Sequence, residues 1–264
     1  MITPEEIQEH YDSLALIYRT FWGDHLHHGL FTGGSESSSV AQVKLLEHCL
    51  TLLDPRGREN VLDVGCGFGA TLLYLVQRFD MRGIGVTISL NQAQVAKQKA
   101  AEAGVTEQLG FIVADADRFC FPVECFDVIW VMESSEHLFD KPSLFQNAQA
   151  ALRPGGRLVL ASWNGDMERS RVAAVARAFL CPELWTVNQY RSAIQIAGMK
   201  VRECQDLTDG VLPTWKICRE KLRAADGAVK LLPHSVRQFL GGIELILDAY
   251  TSGDLEYNLL VAEK

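Results

Sequence analysis

The 264-residue chain lacks the features that mark several large protein classes. No apolar run reaches the roughly 20 residues that a membrane-spanning helix needs, so no membrane span is expected. The first residues, Met1-Ile2-Thr3-Pro4-Glu5-Glu6, have neither the basic nor the apolar region of a secretory signal, and the expected compartment is the cytoplasm. Basic residues are outnumbered: 25 Lys and Arg against 33 Asp and Glu leave a net charge of −8. Broad binding to nucleic acid depends on neutralising phosphates, so no nucleic-acid partner is expected. The seven cysteines form no Cys-x-x-Cys pair. An odd number without that spacing argues against both a disulfide framework and a zinc site. The thiols read instead as reduced side chains packed as small apolar residues, and no metal is expected. There is no internal repeat and no low-complexity tract.

What is present is a soluble globular composition, 48% hydrophobic and 22% charged. The length suits one large domain or a domain with a cap. The chain is organised around Val61-Leu62-Asp63-Val64-Gly65-Cys66-Gly67-Phe68-Gly69-Ala70-Thr71. A parallel strand buried on both faces reads as a nearly continuous apolar run. Three glycines at alternate positions follow, then the apolar helix opening Leu72-Leu73-Tyr74-Leu75-Val76. Such a strand–glycine turn–helix unit places a ligand at the carboxyl end of the first strand of an open α/β sheet. Gly65-x-Gly67-x-x-Ala70 also fits the dinucleotide fingerprint. That reading wants an acidic residue about 20 positions on, yet the second strand, Gly83-Ile84-Gly85-Val86-Thr87, ends in Thr with no Asp or Glu beside it. The glycine loop by itself is shared by several nucleotide-binding families.

Along the chain, Thr3-Pro4-Glu5-Glu6 is a helix start, with a capping Thr, a Pro in the first turn and acids near the positive helix end. Ile7, Tyr11, Leu14 and Ile17-Tyr18 continue it as an apolar stripe at helical spacing. An aromatic and histidine-rich stretch follows, Phe21 to Phe31. Ser35 to Ser39 reads as a polar loop, and Val40 to Leu53 as a helix. Strands are expected near 60–65, 82–87, 109–114, 126–131 and 156–162, with helices at 70–79, 90–103 and 140–152. This alternation implies parallel strands joined by right-handed crossovers. Helices near 167–180 and 188–197 and a strand near 199–206 come next. Residues 208–252 read as mostly helical, broken at Pro213, Gly227 and Pro233, and a last strand runs from Asp254 to Ala262.

Four motifs in order decide among the nucleotide-binding families. The run at 61–71 resembles the first motif of class I S-adenosylmethionine-dependent methyltransferases. Val113-Ala114-Asp115-Ala116-Asp117 with Phe121-Pro122 resembles their third-strand motif, and Phe126-Asp127-Val128-Ile129-Trp130 their fourth strand. Leu152-Arg153-Pro154-Gly155-Gly156-Arg157-Leu158 resembles the turn into their fifth. The resemblance covers residues 60–163. It implies an α/β, Rossmann-like seven-stranded sheet whose last strand enters antiparallel. It also implies a helical N-terminal lid (1–54), a cofactor-binding core (55–206), a helical cap insertion (207–253) and a last core strand (254–264).

The resemblance implies S-adenosylmethionine as cofactor. Backbone at Gly65 and Gly67 would approach its methionyl tail and ribose, Asp63 would draw the α-ammonium, and Asp115 with the Ala116 backbone would meet the adenine. Many family members place an acid where this chain has Thr87. Gly85-Val86-Thr87-Ile88-Ser89-Leu90-Asn91-Gln92 instead resembles a subgroup with tocopherol C-methyltransferases, sterol-like C-methyltransferases and cyclopropane fatty acid synthases, which implies that Thr87, Ile88 and Gln92 serve the cofactor. Ser89 would cap the following helix in any case. Trp22-Gly23-Asp24-His25-Leu26-His27-His28-Gly29 resembles the tocopherol methyltransferase lid, and Met132-Glu133-Ser134-Ser135-Glu136-His137 its Met-Glu-Ser-Gly-Glu-His segment.

Glu133, His137 and His28 are the candidates for base or substrate-orienting residue, since histidine is easily poised as a base near neutral pH. Glu133 and His137, four apart, would share a face if a helix begins there. Trp163, Trp185 and Trp215 with Phe179 and Phe239 would form an apolar wall. The expected activity is methyl transfer to a small apolar or aromatic metabolite, at carbon. The alternatives are N- or O-methylation, or a cofactor-binding protein or cyclase of this fold. Cyclopropane synthesis is disfavoured, because that group has Cys at the position aligned with His28 and His near the position of Trp163-Asn164.

Overall fold

The computed structural model describes residues 2–34, 36–224 and 234–264. The expected breaks at Gly227 and Pro233, and Ser35 of the polar loop, lie outside the described residues. Two helices come first, α1 (Pro4–Phe21) and α2 (Ser38–Leu53). Thr3 caps α1 in a reciprocal capping box with Glu6, as the opening residues predict.

Strands β1 (Asn60–Val64), β2 (Arg82–Thr87), β3 (Leu109–Val113), β4 (Phe126–Met132) and β5 (Leu152–Gly165) alternate with α3 (Ala70–Phe79), α4 (Leu90–Glu102) and α5 (Lys141–Ala151). Then come α6 (Ser170–Ala178), α7 (Val187–Ile196) and β6 (Lys200–Asp206). Next are α8 (Thr208–Val211), α9 (Pro213–Ala224) and α10 (His234–Thr251), and β7 (Leu255–Glu263) closes the chain. One seven-stranded sheet forms in the order β3-β2-β1-β4-β5-β7-β6. β1 to β5 pair parallel, and β7 pairs antiparallel with β5 and β6. This is the class I methyltransferase sheet.

The strand order reverses beside β1, with β2 on one side and β4 on the other, so a crevice opens at their carboxyl ends. β1 and β4 are buried along nearly their whole length, and the two core clusters lie on the two faces of the sheet. No α-helix begins at Glu133. Glu133 takes a left-handed backbone with φ of 50°, and only a single 3₁₀ turn, Ser135–His137, follows. A non-glycine residue rarely holds that conformation unless its surroundings enforce it, and the side chain of Glu133 shows what does so here. Among the described residues no helix is long and apolar enough to cross a membrane.

Candidate functional site

The eight residues expected at the cofactor line one cleft at the carboxyl ends of the central strands, about 1020 Å³ counting its open mouth. Asp63, at the end of β1, is buried, and among the described residues its carboxyl has no hydrogen-bond partner. Burial pushes its pKa up to about 7. A buried carboxyl without a partner is costly, and a cation brought into the cleft would relieve that cost.

Gly65 and Gly67 serve different ends. A Cβ on Gly65 would lie 2.2 Å from Ser134 Cβ, so this glycine lets β1 and the segment after β4 close together. Gly67, with φ of 51°, would meet nothing nearer than Leu26 Cδ1 at 3.6 Å; it faces the cleft beneath the loop after α1. At the end of β2, Thr87 Oγ1 donates to Gln92 Oε1 at 2.7 Å, and Ser89 caps α4 by accepting from the Gln92 amide at 3.1 Å. Asp115 Oδ1 accepts from the Asp117 amide at 3.0 Å. An unpartnered buried carboxyl, a glycine open to the cleft and the polar pair at the end of β2 together fit a ligand with an ammonium, a ribose and an adenine.

Tyr11, Leu26, Glu133 and His137 line both this cleft and a second cavity behind it, of about 480 Å³ counting the space open to solvent. Its other walls are Tyr18, Trp22, His28, Trp163, Phe179, Trp215 and Phe239. The rings meet edge to face: Trp163 and Trp215 at 6.2 Å and 86°, Trp22 and Trp215 at 5.7 Å and 68°, arrangements that suit aromatic quadrupoles. Trp185, expected in this wall, packs instead on Tyr190 with 5.3 Å between ring centroids, in a separate groove.

Glu133 is tied down at both oxygens. It accepts from the His28 amide and from Tyr257 Oη at 2.7 and 2.8 Å through Oε1, and from His28 Nδ1 and Trp163 Nε1 at 2.7 and 2.9 Å through Oε2. Burial works against its ionisation, but the four hydrogen bonds that it accepts outweigh burial and hold the carboxyl below the usual range. The four donors come from the loop after α1, β5 and β7, which explains how the left-handed backbone at Glu133 is enforced.

His28 continues the chain of contacts. Its Nε2 is the acceptor for Trp215 Nε1. An indole N–H can only donate, so His28 carries its proton on Nδ1 and is uncharged. His27 Nδ1 donates to the His28 carbonyl at 2.7 Å, and its Nε2 meets His25 Nδ1 at 3.2 Å.

His137 is placed otherwise. Its Nδ1 lies 3.2 Å from the Leu180 carbonyl, which only accepts, and its Nε2 lies 2.7 Å from the Tyr11 hydroxyl. The carbonyl fixes the proton on Nδ1 and leaves the Nε2 lone pair toward Tyr11. Burial pushes the pKa of His137 down to about 4. Tyr11 comes from α1, which fastens to the sheet at the mouth of the cleft. Asp12 accepts from Ser89 Oγ and from the Asn91 amide, and Asp24 pairs with Lys99.

The sequence gives Tyr11 only as part of a helical stripe, and Asp12 and Tyr257 not at all. The polar tip of Tyr11 within that stripe is the one local signal that points to it.

The mycolic acid cyclopropane synthetase family pattern matches residues 2–239. The chain belongs to this family. It is a small-molecule methyltransferase that uses S-adenosylmethionine. Within the family's wider relations it is 27% identical to a chloroplastic tocopherol O-methyltransferase of Arabidopsis thaliana, over 98% of this chain and 81% of that one. It is 29% identical to 27-O-demethylrifamycin SV methyltransferase of Amycolatopsis mediterranei, over 83% and 82%. The structure of a cyclopropane synthase from Mycobacterium tuberculosis superimposes with a TM-score of 0.88 at 20% identity, covering 100% of this chain and 99% of that one. At that identity the likeness is one of fold.

Proposed function

We propose that the methyl acceptor is an apolar or aromatic small molecule of the phenol class, methylated at ring carbon. The observation that carries this reading is the Tyr11–His137 pair, which stands where the cofactor cleft meets the aromatic cavity. When bound, S-adenosylmethionine supplies a methyl group on a cationic sulfonium, an electrophile with a good leaving group. The chain then has to hold the acceptor in line and take its proton, and holding reactants in line accounts for much of such a rate. The aromatic cavity holds the ring. His137, uncharged at neutral pH with its proton on Nδ1, accepts the acceptor's proton at Nε2, directly or through the Tyr11 hydroxyl. An acceptor becomes far more acidic as the methyl arrives, so a weak base suffices.

Glu133 and His28, the other two candidates, are bound to each other and otherwise to Trp163, Tyr257 and Trp215, which do not line the cofactor cleft, whereas Tyr11, the Nε2 partner of His137, does; we assign Glu133 and His28 to positioning. In this reading residues 1–54 are the lid, 55–206 the core, 207–253 the cap and 254–264 the last core strand. Gly65 and Gly67 take the methionyl tail and ribose, Thr87, Ile88 and Gln92 the ribose, and Asp115 and Ala116 the adenine. The second reading is transfer to oxygen, favoured by the Arabidopsis and Amycolatopsis relatives, whose names are those of O-methylating enzymes. Incubation with trideuteromethyl-labelled cofactor and a metabolite extract, followed by mass spectrometry, tests the proposal. Labelled phenols are expected; label confined to amines would refute it.

Asp63, in the same reading, holds the α-ammonium. Its carboxyl is raised to about 7 in the free protein, so it is protonated below that pH, whereas the ammonium needs it ionised. Affinity for S-adenosylhomocysteine should therefore fall as pH drops from about 7 to about 5, by up to about tenfold per unit, with proton release on binding. Calorimetry in buffers of different ionisation enthalpy reads this directly. Asp63→Asn should weaken binding and flatten the dependence; an equally steep dependence in that variant would remove Asp63 from the role.

A further inference from the structure

We infer that Glu133 is a specificity determinant: its charge makes the aromatic cavity a subsite for an uncharged ring and keeps anionic acceptors out. The inference rests on the phenol reading and adds the charge of the acceptor, which that reading leaves open.

The argument is an account of charge in the cavity. Among its described lining residues there is no Lys or Arg. His28 is uncharged, because both of its ring nitrogens are committed, one as donor to Glu133 and one as acceptor from Trp215. His137 is held neutral by burial. So is His10, which sits behind the wall with its Nε2 at 3.0 Å from the Tyr18 hydroxyl. The hydroxyls of Tyr11 and Tyr18 are each engaged with a histidine. Lys141 is buried, but it donates to the Leu138 carbonyl and lies over Trp185, outside this wall. Glu133 therefore carries the one formal charge of the cavity, and it is negative.

Its hydrogen bonds stabilise that charge without cancelling it. A second anion brought into the same desolvated space would meet like-charge repulsion at low dielectric and would find no cation to pair with. An uncharged ring meets only aromatic edges and faces, which favour it. Phosphorylated and carboxylated acceptors are thus excluded from the inner cavity by a residue that does not itself react.

The test is calorimetry on the full chain saturated with S-adenosylhomocysteine, using 2-naphthol, 2-naphthamide and 2-naphthoate at neutral pH. The last two share shape and differ in charge. Naphthol and naphthamide are expected to bind, and naphthoate to bind at least about tenfold more weakly than naphthamide. Glu133→Gln keeps an acceptor oxygen and removes the charge; it should bring naphthoate to within about threefold of naphthamide. Naphthoate binding as tightly as naphthamide in the unaltered protein, or no binding of either neutral probe, would overturn the inference, as would an unchanged gap in a folded Glu133→Gln protein. If that variant does not fold, the gap in the unaltered protein decides. A protein that binds naphthol but methylates no phenol would leave this inference standing and remove the phenol reading.

Discussion

His137→Ala is expected to lower turnover of a phenol acceptor by about 10²–10⁴-fold, the usual worth of a positioned base. The affinity for S-adenosylhomocysteine should stay within a few-fold of the native value. The expectation follows from geometry. The Leu180 carbonyl fixes the imidazole proton on Nδ1, so the Nε2 lone pair points to Tyr11, and burial keeps it unprotonated at neutral pH. Tyr11→Phe should lower turnover as well, if the hydroxyl relays the proton. Glu133→Gln should differ in kind. The carboxylate holds four donors from three parts of the chain, and a weakened hub lowers the unfolding temperature before it alters the reaction. Native-like turnover in His137→Ala, measured with an acceptor that the native protein methylates, would remove the base assignment.

Gly67→Val is expected to abolish cofactor binding, with affinity for S-adenosylhomocysteine down by more than about 100-fold. Two costs combine. The backbone at 67 has φ of 51°, where a β-branched residue is strained. The new side chain would also project into space that is open apart from Leu26, the space in which the ligand is proposed to lie. Gly65→Ala should fail for a different reason, since its Cβ would run into Ser134 and force β1 and β4 apart. The two variants are separable by thermal unfolding: Gly67→Val should lose ligand binding with a modest change in melting temperature, Gly65→Ala should lose stability first. Unchanged calorimetric affinity in Gly67→Val would place the cofactor elsewhere.

The sheet was legible because its signals are local. β1 and β4 are apolar on both faces, glycines mark the turn after β1, and strands and helices alternate through residue 151. The motif at 61–71, with Thr87, Gln92 and Asp115, led to one cleft because each lies at the carboxyl end of a strand or, for Gln92, in the first turn of the helix that follows, where position in the sheet fixes position in the site. The hydrogen-bond partners of Glu133 and His28 were not legible. Both sit in segments that suit catalysis, but what occupies them comes from 105 and 124 residues away for Glu133 and 187 for His28. Contacts of that separation have no periodic trace in the chain. The pair that faces the junction, Tyr11 and His137, spans 126 residues. Its histidine was visible as a candidate, and its tyrosine was hidden in the apolar stripe of α1. The shared face that a helix after β4 would give Glu133 and His137 does not form: a left-handed residue with a single 3₁₀ turn sends the two to different partners.

The most direct test of the central claim, methyl transfer to an acceptor that gives up a proton to the Tyr11–His137 pair, is a competition. Equimolar 2-naphthol and its dimethylamino counterpart are offered with trideuteromethyl-labelled S-adenosylmethionine, to the native protein and to His137→Ala, and labelled products are counted by mass spectrometry. The account predicts labelled methylnaphthol, or its methyl ether, from the native protein and a loss of about 10²–10⁴-fold in the variant. Label on the amine, at equal rates in both proteins, would contradict it.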